Sequence, residues 1–499
     1  MSDHHAPTPT QRAAHATLWS ALEITARYGV QFFVVLVLAR LLSPSDFGLI
    51  AMLLVFTSIG ALLVDSGFST SLIQRQHTTA DDETTVFWFT CVISLVLFLV
   101  LWIAAPVIAN FYQQAELGSL MRLVAWVLPL SALSAVPDAI LTQQLRFKVR
   151  AKAEAIGVLG SATVAISLAW GGYGVWSLAW QIVTAAALRG VLLWIHSGWR
   201  PGGRFNIASF RSLFSFGSYM FLANLLGVAS LRLQSLLIGK LFAPDTLGYY
   251  TLAQNVQQAP SSFMSGILNR VGLPVFSSVA DQPQKLIAAL RFSLRIALFL
   301  FVPCIVGIAV IAKPLIIALY GARWAPAAPL LTILSLSAIF WPLHVLNLAA
   351  IGARGRSDLV FRLEVIKRII SIGLIIAGSP WGAIGIAWAV LISSLFAAVI
   401  NTWYSKKLLG YGAVAQLRDQ LATLMLTVCA AASGWAVLHL MATGKTAMLL
   451  AIVVAAIAYL GGAVISRSQA LRELLQLCGT MATGKEYGAA DQPDEPDVR

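Results

Sequence analysis

The chain is a succession of long apolar runs separated by short polar ones. Runs close to the roughly 20 residues that cross a bilayer as a helix lie near 18–39, 47–72, 85–108, 120–141, 152–170, 174–196, 212–238, 246–272, 288–311, 327–350, 359–378, 382–405, 419–440 and 446–465. The pattern predicts an all-α polytopic membrane protein of about fourteen transmembrane helices. The clearest runs are 85–108, 288–311, 382–405 and 446–465. The least apolar is 246–272, which holds Gln254, Asn255, Gln257, Gln258, Pro260 and Asn269. Unpaired amides are costly in hydrocarbon, so this helix is expected to face protein or water over part of its surface. Beyond the last run, Leu471, Leu474, Leu475 and Cys478 recur at i, i+3, i+4 and i+7. They predict a short amphipathic helix on the inner membrane surface. Residues 486–499 are acidic and Pro-containing, a composition expected to stay disordered.

Composition narrows the function classes. Of 499 residues, 58% are hydrophobic and 11% charged, against about 25% charged in soluble domains. The segments between the runs are too short for a separate catalytic or nucleotide-binding domain. No GxxxxGK[ST] motif is present, so direct ATP hydrolysis has no support. The net charge of +13 is accounted for by loop asymmetry. One side carries the cluster Arg146, Lys148, Arg150 and Lys152 and the cluster Arg200, Arg204 and Arg211. The other side carries Arg40, Lys240, Lys313, Arg323 and Lys445. The positive-inside rule then places both termini in the cytoplasm, and no nucleic-acid partner is expected. Cys91, Cys304, Cys429 and Cys478 are scattered. They outline neither a disulfide framework nor a metal site, and no cofactor is expected. Residues 1–16 are polar and the run after them holds Glu23 and Arg27, which reads as an uncleaved span rather than a signal peptide.

The chain also contains a repeat. ARLLSPSDFG at 39–48 aligns with GKLFAPDTLG at 239–248, and YGVWSLAW at 173–180 aligns with WGAIGIAW at 381–388. Each first copy is followed by its second about 200 residues later. Spans 1–6 and 7–12 therefore read as two halves of the same orientation, with spans 13 and 14 appended. The expected organisation is a cytoplasmic N-terminus (1–17), an N-terminal six-helix half (18–196), a cytoplasmic linker (197–211), a C-terminal six-helix half (212–405), helices 13–14 (406–465) and a cytoplasmic tail (466–499). Parallel halves around a central cavity are an alternating-access architecture, hence one for transport.

Several stretches resemble a known family. LARLLSPSDFGL at 38–49, VDSGFSTSLIQR at 64–75, GYGVWSL at 172–178, SGWRP at 197–201, SFGS at 215–218, LLIGKLFAPDTLGYYTLA at 236–253 and YGARWAPAAPLL at 320–331 are similar to the Wzx-type flippases. These form the polysaccharide transporter branch of the multidrug/oligosaccharidyl-lipid/polysaccharide superfamily. The resemblance implies an undecaprenyl-diphosphate-linked oligosaccharide as substrate, moved from the inner to the outer leaflet of the bacterial inner membrane. It also implies a V-shaped cavity lined mainly by spans 1, 2, 7 and 8. A polysaccharide polymerase and a chain-length regulator are the partners it implies. One departure is Gln234, where many relatives carry an acid.

Intramembrane charges are the natural candidates for a site, since each is costly at a helix centre and normally faces protein or water. Arg27, Arg232 and Arg270 lie on the spans implied to line the cavity. The guanidinium is a fixed donor fork that matches phosphate oxygens at any relevant pH, so the three form a candidate path for the diphosphate. Glu23 and Asp65 are candidate coupling or cavity carboxylates. Glu23 is i, i+4 to Arg27, which fits an intrahelical pair equally well, and Arg270 alternatively snorkels to the interface. Arg189 and Arg295 are expected to snorkel, and Glu154 to pair with the basic loop before it. Tyr249, Tyr250 and Gln254 offer stacking faces and an amide for sugars, or helix–helix hydrogen bonds. The competing functions are a polysaccharide polymerase or ligase, a multidrug/cation antiporter and a lipid II flippase. The first needs catalytic groups gathered in a loop, and the second needs net acid in the cavity.

Overall fold

A computed structural model describes residues 29–75, 78–441 and 444–483, with some positions in the longer helices described for the backbone alone. Among the described residues the regular structure is helical. In order the helices are α1 (Gly29–Leu41), α2 (Pro44–Asp65), α3 (Phe68–Gln74), α4 (Ala80–Tyr112), α5 (Glu116–Val124), α6 (Val127–Gln143), α7 (Phe147–Trp170), α8 (Val175–Ser197), α9 (Ile207–Leu241) and α10 (Pro244–Ser278). They continue as α11 (Pro283–Val310), α12 (Ala312–Tyr320), α13 (Ala327–Ala338), α14 (Trp341–Ala353), α15 (Ser357–Gly378), α16 (Gly382–Leu409), α17 (Ala413–Leu440), α18 (Lys445–Ile465) and α19 (Gln469–Thr483). Within the described residues each predicted apolar run falls on one of these helices or on a broken pair of them; of the first run, 18–28 lie outside the described residues. Ten helical segments among the described residues are long and apolar enough to cross a membrane. The chain is an all-helical multi-pass membrane protein.

The helix starts follow local chemistry. Ser43 accepts from the Asp46 N–H while Asp46 bonds back to the Ser43 backbone, and Pro44 occupies the first turn of α2. Such a reciprocal box fixes where the chain turns into the membrane. Thr79 and Asp82 repeat it at α4. Several predicted single spans are broken. The run at 47–72 becomes α2 and α3, separated by Ser66 (φ 42°) and Gly67 (φ 79°) in the left-handed region. A non-glycine residue there is uncommon, and the hydropathy pattern gives no sign of it. The runs at 120–141 and 327–350 become α5–α6 and α13–α14.

The described residues form two compact units. The first comprises residues up to Ala259 together with 315–334 and 365–393. In it α7 and α8 form a hairpin packed on α6, and α2 packs on α9, α4 and α6. The second comprises 260–314, 335–364 and the chain from 394. Its core gathers Leu290, Leu294, Phe301, Ile305, Leu346 and Tyr411 from α11, α14 and the α16–α17 turn. The buried residues of α17 include Gln416, Gln420, Thr423 and Thr427, while Val414, Leu421, Met425 and Val428 are exposed. This inverted distribution is what lipid as solvent dictates. Gln416 and Asn347 form a reciprocal amide pair at 2.8 and 3.1 Å.

Two expectations about the second unit are corrected. Arg295 does not snorkel: it is buried and paired with Glu473 of α19. The amphipathic helix is present as α19, but part of its apolar face lies on protein. Leu471 and Leu474 pack with Phe299, Tyr459 and Ala463, while Leu475 stays exposed. A buried guanidinium needs a carboxylate, so the helix that supplies one is drawn onto α11 and α18. Glu473→Gln is therefore expected to loosen α19. Removing one member of a buried pair costs about 3–5 kcal/mol, and amide hydrogen exchange in 469–476 is expected to accelerate while α11 is unchanged. Unaltered exchange would show that the apolar contacts alone hold the helix.

Candidate functional site

The first unit carries the sequence repeat, and its two copies meet. The α1–α2 turn and the α9–α10 turn lie against each other at one end of the bundle. A Cβ placed on Gly48 would overlap the carbonyl of Pro244, and one on Gly248 would overlap the carbonyl of Pro44. Pro44 and Gly48 are the repeat partners of Pro244 and Gly248, so this is a self-complementary crossing, the intramolecular counterpart of a two-fold interface. Only glycine lets the backbones approach so closely.

A latch lies over this crossing. Trp324, fully buried, donates its indole N–H to the Ala39 carbonyl at 2.8 Å. Its ring stands edge-on to Phe47 at 5.3 Å and to Tyr249 at 6.1 Å. Arg40 donates to the carbonyls of Leu319 and Ala318 at 2.7 and 2.8 Å. In return Arg323 donates to the carbonyls of Ala39, at 3.1 Å, and Arg40. Arg40 of α1 thus caps the last-turn carbonyls of α12, and Arg323, in the turn after α12, caps those of α1, where the orphan acceptors and the negative end of the dipole lie. Lys240 lies over the Phe111 ring at 4.6 Å and donates to the Phe111 carbonyl. Three of the basic residues that sequence reasoning put on the sparsely charged side are therefore structural ties. The repeat and the RWAP stretch were visible in the sequence; their contact was not.

Beneath the crossing, Arg232 of α9 is half-buried and donates Nε–H to Ser58 Oγ of α2 at 2.9 Å. Ser58 in turn donates to the Leu54 carbonyl at 2.6 Å. Among the described residues no carboxylate pairs with it, and a hydroxyl partner does not neutralise the charge, so Arg232 retains its attraction for an anion. Tyr250 is fully buried, and its hydroxyl donates to Gln234 Oε1 at 2.7 Å. Its ring is packed between helices in this conformation. The neutral Gln234 needs no counter-ion in this buried position. Tyr249 and Gln254 are partly exposed.

At the opposite end of the same helices, α3 meets the start of α9. Ser71 Oγ lies 3.1 Å from the Leu213 carbonyl, and Arg75 bonds Ser212 and pairs with Asp82 at 2.9 Å. Phe68 packs on Phe210 and Phe214 at 5.6 and 6.0 Å between ring centroids. The α2–α9 pair is thus tied at both ends around Arg232.

A polar cleft of about 210 Å³ opens between α2, α3, α6 and α8, lined by Asp65, Ser69, Ser131, Ser134, Asp138 and Arg189 among others. Arg189 bridges Asp138 at 3.0 Å and Glu154 at 2.9 Å, and Arg150 holds Asp138 at 2.7 Å. Arg189 is therefore a bridging cation rather than a snorkelling one, and Glu154 pairs with it from the next helix. Sequence reasoning missed Asp138 altogether; the acid directly after Pro137 was the available signal. Glu23 and Arg27 lie outside the described residues, as does the side chain of Arg270. In the second unit an apolar groove of about 360 Å³ runs between α11, α17 and α18, lined by small residues such as Gly307, Ala430, Gly434, Ala451 and Ala455 with Tyr459.

Comparison with known proteins gives this architecture a context. The polysaccharide biosynthesis protein family matches residues 37–329. The chain is similar to the teichuronic acid biosynthesis protein TuaB of Bacillus subtilis, 24% identical over 80% of this chain and 83% of that one. It is also similar to the succinoglycan biosynthesis transport protein ExoT of Rhizobium meliloti, 25% identical over 78% of this chain and 80% of that one. Among solved structures it matches the lipid II flippase MurJ in an inward closed conformation, with a TM-score of 0.75 and 17% identity over 90% of this chain and 99% of that one. An inward-facing MATE-family multidrug transporter matches with a TM-score of 0.62 and 14% identity over 79% and 98%. These two likenesses establish the fold.

The latch makes a direct prediction. Arg323→Ala removes one of the two reciprocal caps, a net loss of about 1 kcal/mol and so several-fold in population. A cysteine at the buried position 42, in a background without native thiols, is expected to react several-fold faster with a membrane-impermeant maleimide when Arg323→Ala is added. An unchanged rate would mean that the crossing opens independently of the latch.

Proposed function

The chain belongs to the polysaccharide biosynthesis protein family, and from that premise we propose that it is a flippase. It carries polyprenyl-diphosphate-linked oligosaccharides, undecaprenyl-linked in a bacterial inner membrane, from the cytoplasmic to the periplasmic leaflet for polysaccharide assembly. The observation that carries the reading is Arg232. It is a guanidinium inside the span, held by a hydroxyl rather than a carboxylate, on a pair of helices tied at both ends.

A diphosphate must shed most of its water to cross hydrocarbon, and that is prohibitive without a compensating charge. Arg232 can give up Ser58 for phosphate oxygens without breaking an ion pair, so little is lost on binding or regained on release. Arg27 and Arg270 remain the other candidate diphosphate contacts on the sequence reading alone. Tyr249 and Gln254 belong to the sugar-facing part of the same helix, whereas Tyr250 holds α9 and α10 together through Gln234. With both termini cytoplasmic, the Gly48–Gly248 crossing and its latch form the periplasmic gate, and the α3–α9 contact forms the cytoplasmic one. The apolar groove along α17 and α18 suits a prenyl chain left in the membrane while its headgroup crosses. The relatives are named as biosynthesis and transport proteins and the matched folds are transporters, which weighs against a polymerase or ligase. An arginine at the centre with no carboxylate partner among the described residues weighs against a site for organic cations.

Cells lacking this protein, with priming under controlled expression, are expected to accumulate complete lipid-linked repeat units on the cytoplasmic face and to lose polymer. Lipid extraction, mass spectrometry and glycosidase access from the periplasm read this out. Complete units reaching the periplasm unpolymerised would overturn the reading. Arg232→Ala is expected to lower transport at least about tenfold, as expected for losing a charge-assisted phosphate contact. Arg232→Lys keeps the charge without the fork and is expected to retain an intermediate rate. Equal rates in all three forms would remove Arg232 from the path.

A further inference from the structure

The cleft between α2, α3, α6 and α8 continues the α2 face that meets Arg232. Ser58, Ala61 and Asp65 recur at i, i+3 and i+7 within one unbroken helix, so they share one side of it. Ser58 bonds Arg232, while Ala61 and Asp65 line the cleft. Seven residues of helix span about 10 Å. The cleft therefore starts within one or two turns of the guanidinium proposed to hold the diphosphate. In a lipid-linked oligosaccharide the first sugar is bonded directly to the second phosphate. That sugar is the part of the substrate within reach of the cleft.

The lining has the character of a sugar site. Arg150 holds Asp138 at 2.7 Å, and Arg189 bridges Asp138 at 3.0 Å and Glu154 at 2.9 Å. These bonds fix the Arg189 fork in place before any ligand arrives. They engage Nε and Nη2 of a group with five N–H donors, so Arg189 can serve a further acceptor. Ser69, Ser131 and Ser134 add hydroxyls that both donate and accept, and Asp65 adds an acceptor. Ala61, Val64, Leu128 and Ala139 form apolar wall between them. A sugar ring presents the matching surface, a rim of hydroxyls around C–H faces. The volume of about 210 Å³ is below the roughly 300–1,000 Å³ of sites for drug-sized ligands, the scale of a single ring. Around the cleft three acids, Asp65, Asp138 and Glu154, face two guanidinium groups, so a sugar with its own carboxylate meets like charge. Resting on the flippase reading, we propose that this cleft selects the substrate's first sugar, an uncharged ring held through hydroxyl contacts to Asp65, Ser131 and Arg189. Tyr249 stands at the latch end of α10, on the other side of Arg232, and is no part of this subsite. With both termini cytoplasmic, the cleft lies on the side from which the lipid arrives. Ser69 sits on α3 between Phe68 and Ser71, which join α3 to α9. A ring bonded to Ser69 thus touches the element that closes behind it.

The test measures binding to the purified full-length protein in nanodiscs. Three polyprenyl diphosphates serve as probes: one bearing a hexose, one the corresponding hexuronic acid and one no sugar. Wild type is expected to bind the hexose lipid about tenfold more tightly than the sugarless one, the increment of one or two well-placed hydrogen bonds. It is expected to bind the hexuronic lipid no more tightly than the sugarless one. Asp65→Ala and Ser131→Ala are each expected to remove most of the hexose increment and to leave the sugarless lipid bound as before. Asp65→Asn keeps an acceptor and loses the charge. It is expected to retain most of the hexose increment and to admit the hexuronic lipid, a change that a merely structural role would not produce. Arg232→Ala is expected to weaken all three lipids alike. If the hexose adds nothing in wild type, or Asp65→Ala weakens hexose and sugarless lipids equally, the subsite is overturned and the flippase reading stands. If none of the three lipids binds wild type, the flippase reading fails and the subsite falls with it.

Discussion

Hydrocarbon tolerates no charge without a partner, and the interior of this protein is organised around that constraint. In the second unit, buried Arg295 is matched by a carboxylate brought in from α19, and a helix that composition alone would lay on the membrane surface is docked on protein instead. In the first unit, Arg150 and Arg189 neutralise acids from α6 and α7. At the bundle end, Arg40 and Arg323 are absorbed by helix carbonyls. Against this background one incompletely compensated group is conspicuous. Among the described residues Arg232 bonds a hydroxyl and no carboxylate, and it belongs to the α2–α9 pair. A transporter for an anionic headgroup needs such groups, since a fully satisfied cation has nothing to offer a passing phosphate.

On the proposed reading the same pair of helices parts and closes again. The crossing of Gly48 and Gly248 is tight, and its stability is shared with a latch of hydrogen bonds to carbonyls that water can replace. The contact at the other end joins aromatic packing to single polar bonds. Substituting either glycine would act differently from loosening the latch: an added methyl meets a backbone carbonyl, which has nowhere to give, and the crossing could no longer close.

Much of this was legible in the sequence. The period of apolar runs located the helices, and the Pro44–Gly48 and Pro244–Gly248 repeat pointed to two related hairpins. Their mutual contact was not legible, because a repeat states similarity and not proximity. Trp324 lies far from Ala39 in the chain, and nothing local marks an indole as a cap for a distant helix. The broken spans escaped because hydropathy averages over a left-handed pair such as Ser66–Gly67. Tyr250 looked like a sugar contact because an aromatic beside amides fits either a ligand or a helix partner; Gln234, sixteen residues earlier on another helix, decides which bond it makes here.

On the proposed reading, lipid moves only when the α2–α10 crossing opens. Cysteines at Ser45 and Asp245, in a background without native thiols, can be joined by a short cleavable bismaleimide in proteoliposomes that contain the polyprenyl-diphosphate oligosaccharide. The account predicts that joining them stops transfer between leaflets while the lipid still binds, and that cleaving the linker restores transfer. Transfer at an undiminished rate with the crossing joined would contradict it, because the headgroup would then be passing by another route.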